Sequence, residues 1–154
     1  MINVLFVCLG NICRSPMADA VFQQMVKEAG LDAHISVDSA GTGSWHVGEK
    51  PHRGTRRVLA DHNIPYNGRA RQITATDMSN PNSYIIVMDQ SNYNDVVHQF
   101  GQHSRLHLLL EFATNTTETN VPDAYYTGNF DYVYELVTDG CTGLLATIRQ
   151  ENGL

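Results

Sequence analysis

Lysine is scarce in this chain: Lys27 and Lys50 are its only two in 154 residues. Ten basic residues face sixteen acidic ones, leaving a formal net charge of −6. Such a balance argues against broad electrostatic binding of nucleic acid or of an anionic membrane surface. Any anion handled here must be drawn to one concentrated site. Long apolar runs are missing too. Nothing approaches the roughly 20 apolar residues of a membrane-spanning helix, and Ile2 to Val7 is too short, and lacks the basic flank, for a signal-peptide core. The chain therefore reads as cytoplasmic. Cysteine is limited to Cys8, Cys13 and Cys141, an odd number that argues against a disulfide framework. In a reducing compartment such residues are packing, metal ligands or reactive thiols. Repeats, low-complexity runs and linker-like stretches are absent as well. What remains, with 42% apolar and 17% charged residues, is one globular domain over 1–154. A chain of this length buries roughly 70% of its unfolded surface without staples.

Apolar runs alternate with helical patterns. Ile2 to Val7 lacks strict alternation and reads as a strand buried on both faces. Ser15 is a good N-cap and Pro16 a good first helical residue. Met17, Val21 and Met25, beside Ala18 and Phe22, make one apolar helical face, and Gly30 is its stop. His34 to Ser39 reads as a second strand, Lys50 to Asn63 as a helix entered through Pro51, and Tyr84 to Met88 as a third strand. Ser91 to Phe100 reads as a helix, Arg105 to Leu110 as a fourth strand, and Phe130 to Arg149 as a last helix. The stretch 111–128 is polar and aperiodic. This alternation predicts an α/β single domain, a doubly wound four-stranded parallel sheet with helices on both faces. Ligands of such sheets bind beyond the carboxyl ends of the strands. Cys8, Ser39 and Asp89 fall at those ends, and the long polar loop follows the fourth strand.

The segment Cys8-Leu9-Gly10-Asn11-Ile12-Cys13-Arg14-Ser15 joins a buried strand to a helix N-terminus. Backbone N–H groups in such a turn converge on one point, and the helix dipole adds positive potential. Gly10 gives the turn conformational freedom, and Asn11 tolerates positive φ. The planar fork of Arg14 matches two phosphate oxygens. A dianion is the expected ligand. The same field favours the thiolate of Cys8, a nucleophile aimed at phosphorus. Cys8 and Cys13 make a poor zinc pair, since structural zinc wants tighter pairs and four ligands. His103 and His107 read as solvated or core histidines.

The string from Cys8 to Pro16 resembles, throughout, the phosphate loop of the low-molecular-weight protein tyrosine phosphatases. The similarity continues through Asp38-Ser39-Ala40-Gly41-Thr42, Trp45, Ala70-Arg71-Gln72-Ile73, Val87-Met88-Asp89-Gln90-Ser91-Asn92 and Pro122-Asp123-Ala124-Tyr125-Tyr126. The resemblance implies a metal-independent enzyme without a cofactor that acts on phosphotyrosine-containing proteins and holds inorganic phosphate or another oxyanion in its loop. It implies that Cys8 attacks phosphorus to form a phosphocysteine. Arg14 and the amides of Leu9, Gly10, Asn11, Ile12 and Cys13 hold the phosphoryl oxygens, and Asp123 is general acid and then base. Ser15 bonds the Cys8 sulfur, Asn11 and Ser39 keep the loop's shape, and Trp45, Tyr125 and Tyr126 wall an aromatic cleft. Asp89 fits either a helix cap or a site-ordering role. Cys13 fits either packing or a reversible disulfide with Cys8. An apolar residue at Ile12 favours phosphotyrosine, since relatives that dephosphorylate arginine carry threonine there.

Two departures stand out. The family usually has proline where Ala124 stands, so a more mobile acid loop of reduced efficiency is expected. Many relatives carry a histidine at Gly68, so part of the loop-supporting network is unaccounted for. Two other functions share these features. An arsenate reductase on the same fold needs relay cysteines near the third strand, where this chain has none. A non-catalytic phosphate-binding module would not require a nucleophile and an acid together.

Overall fold

The computed structural model describes residues 1–154. Four parallel strands form one sheet in the order β2-β1-β3-β4, with β1 Ile2–Cys8, β2 Ile35–Gly41, β3 Tyr84–Val87 and β4 Leu106–Leu108. In register, Cys8 lies beside Gly41, and Val7 lies between Ala40 and Val87. From β1 the chain first winds to one side and later returns to the other. The carboxyl end of β1 is therefore the switch point of the sheet, where the crevice of a doubly wound fold opens.

Both faces are covered, as the continuous apolar strand runs require. Val4, Phe6, Tyr84 and Ile86 point to one side, where they pack with α1 (Arg14–Glu28), α2 (Arg53–Asp61) and α6 (Phe130–Asn152). Phe6 meets Phe22 of α1 edge-on at 5.5 Å. Val133, Leu136, Val137, Gly140, Cys141, Leu144 and Ile148 recur at three- and four-residue spacing and form the buried stripe of α6. Leu5, Val7, Ile85 and Val87 face the other side, against Val96 of α4 (Gln90–Phe100) and Ile73.

Several boundaries differ from the sequence expectation. The first helix starts at Arg14 with Cys13 as its cap residue, and no side chain caps it. Ser15 lies within its first turn, because its hydroxyl has a stronger use elsewhere. Pro16 is tolerated there because first-turn N–H groups have no helical partner. The second helix starts at Arg53, not Lys50, and His52 caps it, with Nδ1 accepting from the Gly54 N–H at 3.0 Å. The fourth strand stops at Leu108, and Leu109–Phe112 turns into a 3-10 helix. Glu111 reaches back to the Leu108 N–H (3.2 Å) and His107 (3.0 Å), which ends the ladder. Two short helices add to these elements: α3 (Ala75–Met78), between the second helix and the third strand, and α5 (Ala124–Thr127), within the polar, aperiodic stretch 111–128. No helix is long and apolar enough to cross a membrane.

Candidate active site

The carboxyl end of β1 runs into a tight loop that wraps around the Cys8 sulfur. Sγ lies 3.0 Å from the Ser15 hydroxyl and accepts from the Asn11 N–H at 3.3 Å. The left-handed residue of the loop is Asn11, with φ 58°. Gly10 does not take a left-handed φ, which corrects the role read for it in the sequence. Its missing side chain leaves room for the His46 ring, since a Cβ there would stand 3.1 Å from His46 Cδ2. Gly41, opposite Cys8 in the sheet, is needed for a different closeness. A Cβ at that position would meet the Leu9 carbonyl oxygen at 2.8 Å.

The turn is held from within by the Asn11 side chain. Its amide nitrogen donates to Ser15 (2.7 Å) and Ser39 (3.0 Å), while its oxygen accepts from the Arg71 N–H at 3.0 Å. Asn11 is buried beneath the cleft, so only its backbone faces the sulfur. Its side chain braces the loop and does not line the site. Ser39 is likewise buried.

Arg14 crosses the floor of the cleft. Nη1 donates to Asp89 Oδ2 at 2.6 Å and to the Val121 carbonyl at 3.0 Å, and Nη2 lies 3.5 Å from Asp123 Oδ2. Nε is buried and has no protein partner, which leaves its N–H as a donor for an oxyanion. Burial works against the cation, but the charges of Cys8, Asp89 and Asp123 outweigh it and hold the guanidinium above its ordinary value. Asp89 performs both functions left open by the sequence: Oδ2 orients Arg14, and Oδ1 caps α4 through the Asn92 N–H at 2.7 Å.

Asp123 is the N-cap of α5, its Oδ1 accepting from the Tyr125 N–H at 3.1 Å. Because Tyr125 and Tyr126 lie on a helical turn, not an extended loop, both rings reach the same cleft, edge-on to each other at 5.2 Å. His52, stacked on Phe130 at 4.9 Å, supports Tyr125 from behind at 5.9 Å. Trp45, also part of the lining, stands exposed.

The resulting cleft holds about 330 Å³ and is lined by Cys8, Leu9, Gly10, Ile12, Cys13, Arg14, Trp45, His46, Asp123, Tyr125 and Tyr126. Ser15, Ser39, Asp89 and Asn11 stand behind this lining. His46, which pairs with Glu49 at 2.8 Å, was not singled out from the sequence. Its place beside Trp45 in a loop facing the phosphate turn was the available signal. Burial, with the charges of Cys8 and Asp123, pushes the Cys13 thiol up to about 12. All three cysteines are free. His103 and His107 bond the Asn80 carbonyl and Glu111, away from the cleft.

This geometry has close counterparts. The sequence profile of the family described as low molecular weight phosphotyrosine protein phosphatase matches residues 3–153. The low molecular weight protein-tyrosine-phosphatase YfkJ of Bacillus subtilis is 45% identical over 157 residues, covering all of both chains. PtpA of Staphylococcus aureus, of the same description, is 45% identical over 156 residues, covering all of this chain and 98% of that one. The crystal structure of YfkJ superposes with a TM-score of 0.94 over 99% of this chain and 97% of that one, at 44% identity. A protein tyrosine phosphatase from Entamoeba histolytica gives 0.91 over 99% of both, at 32% identity. The chain belongs to the low-molecular-weight protein tyrosine phosphatase family.

Proposed function

We propose that this protein hydrolyses phosphotyrosine in protein substrates through a phosphocysteine intermediate. The observation that carries the reading is the convergence of Cys8 Sγ, the Arg14 guanidinium with its unpartnered Nε, and the Asp123 carboxyl group on one aromatic-walled cleft. The phosphoryl dianion seats on the loop amides and Arg14, whose charge and donors match the three equatorial oxygens of the transition state. Cys8 attacks phosphorus in line, and the bond to the phenolic oxygen breaks. Asp123 gives that oxygen its proton. Asp123 then takes a proton from water as the water attacks phosphorus, and the Cys8 sulfur leaves. Ser15, 3.0 Å from that sulfur, stabilises its charge before attack and after release.

Trp45, Tyr125 and Tyr126 flank the loop with faces and edges suited to a phenyl ring, and Ile12 adds an apolar contact on the floor. This lining supports an aryl phosphate over a phosphoguanidinium, whose donors would have no polar partner beside Ile12. Two readings lose support here. An arsenate reductase relay would need cysteines near β3 in addition to Cys8 and Cys13, whereas the one remaining cysteine, Cys141, is fully buried in α6. A pure phosphate binder has no use for Asp123 aimed at the same cup as Cys8.

The test offers the purified protein para-nitrophenyl phosphate. Turnover should survive a metal chelator, stop with vanadate and vanish in Cys8→Ser. Turnover retained in Cys8→Ser would overturn the mechanism.

A further inference from the structure

Behind the phosphate loop, a chain of hydrogen bonds continues past the residues that touch substrate. Ser39 Oγ, which accepts from Asn11, lies 3.4 Å from the Tyr66 hydroxyl, and that hydroxyl donates to Asp19 Oδ2 at 2.7 Å. Asp19 is 2% exposed, and its other oxygen accepts from Gln23 Nε2 at 2.6 Å. The direction of the chain follows from counting protons. Asn11 Oδ1 is committed to the Arg71 N–H, so the amide nitrogen must face the two serines. Ser15 accepts from that nitrogen, which leaves its own proton for the Cys8 sulfur at 3.0 Å in preference to the Ala40 carbonyl at 3.5 Å. At the other end, the Tyr66 proton is spent on Asp19, so its oxygen is left to accept from Ser39. A buried serine hydroxyl without an acceptor would be costly, and Tyr66 supplies one.

Gly68 makes this arrangement possible. A Cβ at that position would collide with the Tyr66 hydroxyl. A side chain at 68 and the phenol of Tyr66 therefore cannot occupy this space together. Tyr66 fills the gap in the loop-supporting network that Gly68 leaves open.

We propose that Tyr66 and Asp19 are positioning residues for catalysis: a half-buried phenol on a buried carboxylate that ends the chain Cys8–Ser15–Asn11–Ser39 and, by accepting the Ser39 proton, holds the Asn11 amide in place beneath the nucleophile. Neither residue lines the cleft, so neither contacts substrate. Tyr66 acts through Ser39 and Asn11, and Asp19 acts through Tyr66. The pair keeps the Ser15 proton on the sulfur and the Asn11 N–H aimed at it.

The inference rests on Cys8 being the reacting group, and the test separates the two. Turnover and Cys8 alkylation by iodoacetamide in the native protein report on that reading. The difference between native and variant profiles reports on the pair. In Tyr66→Phe, the pH profile of Cys8 alkylation should move to higher pH. The kcat for para-nitrophenyl phosphate should fall about three- to tenfold, the size of one lost hydrogen bond, while KM changes less than twofold. Gly68→Ala keeps every atom of Tyr66 but drives its hydroxyl aside, and should move the alkylation profile in the same direction. Should Tyr66→Phe prove unfolded by circular dichroism, Gly68→Ala carries the test. An unmoved alkylation profile in the folded variants, or a loss confined to KM, overturns the proposal.

Discussion

Arg14 and Asp89, 75 positions apart in sequence, meet at 2.6 Å across the mouth of the sheet, and the same carboxylate caps the helix that follows β3. One side chain thus ties the orientation of the Arg14 guanidinium to the start of α4. The two duties can be separated. Asparagine caps a helix as well as aspartate does but carries no charge to hold Arg14. Asp89→Asn should lower kcat/KM about tenfold or more, since hydrogen bonds to charged groups contribute about 1.5–3 kcal/mol, with little change in thermal midpoint. Asp89→Ala should lose the activity and about 1 kcal/mol of stability besides. Steady-state kinetics and thermal denaturation of both variants distinguish this from a purely structural role, in which both measures would fall together.

Asp123 stands 3.5 Å from Arg14 with its carboxyl group on the cleft. In the proposed role of general acid it would matter in proportion to how badly the leaving group needs a proton. Asp123→Ala should slow phenyl phosphate hydrolysis by about 10²–10⁴-fold and largely spare aryl esters whose phenols are strongly acidic. A plot of log kcat/KM against leaving-group acidity should be steep in the variant and shallow in the native enzyme. Parallel lines would remove Asp123 from the role.

The three thiols differ in chemistry, although all are buried. Burial holds Cys13 up at about 12, and burial likewise raises Cys141. Both are neutral thiols at pH 7 and poor nucleophiles. Cys8 sits in the cleft against both the Ser15 hydroxyl and the Asn11 N–H. Brief iodoacetamide treatment at neutral pH should add one group per chain, at Cys8, and vanadate should block it. Peptide mass spectrometry reads the site, and modification of Cys13 at a comparable rate would contradict the assignment.

Asp19 links catalysis to stability. Burial raises its pKa above the usual carboxylate value, and the hydrogen bonds from Gln23 and Tyr66 only partly offset this. A carboxyl raised on folding binds its proton more tightly in the native state than in the unfolded one. Its contribution to stability is therefore complete below the unfolded pKa, near 3.9, and is lost as pH rises through the folded value. Asp19→Asn keeps the shape without the charge. The native protein should gain stability relative to this variant as pH is lowered through the folded value of Asp19, and the difference should level off above that value. Each kcal/mol corresponds to about 2–4 °C in thermal midpoint for a chain of this size. A difference independent of pH would mean that Asp19 titrates alike in both states.

Much of this was legible in sequence because it is local. The strand Ile2–Val7, the loop from Cys8 to Arg14 and the α1 face of Met17, Val21 and Phe22 lie within one short stretch, where apolar patterning and residue type speak directly. The errors arose where tertiary partners override local preference. Ser15 has the chemistry of a helix cap, but its hydroxyl is held by the Cys8 sulfur and Asn11, so the helix begins one residue before it. Leu109 and Leu110 suit a strand, yet Glu111 folds back on the Leu108 N–H and ends it. Tyr66 and Asp19 could not be paired by inspection. They lie 47 positions apart, and only the fold brings the phenol behind Ser39.

Ala124 presents the same contrast in reverse: a sequence departure that the fold has absorbed. The acid loop was expected to be loosened by the loss of a proline after Asp123. In the structure Asp123 already holds the extended backbone that a following proline would impose, with φ −83° and ψ 105°, and its own side chain caps α5 from that position. Ala124 is the first residue of that helix, where proline is favoured and its missing N–H has no helical partner to lose. The folded conformation is therefore ready for the ring, and the difference lies in the unfolded chain, which alanine leaves freer. Ala124→Pro should raise stability by about 0.4–1 kcal/mol and should not lower kcat. Ala124 is almost fully buried within the main core cluster, so the ring must fit into a packed surrounding. Chemical denaturation with an unchanged m-value, together with kcat for a phenyl ester, decides the matter. A drop in both would show that the cavity around residue 124, and not the backbone before it, sets what this position accepts.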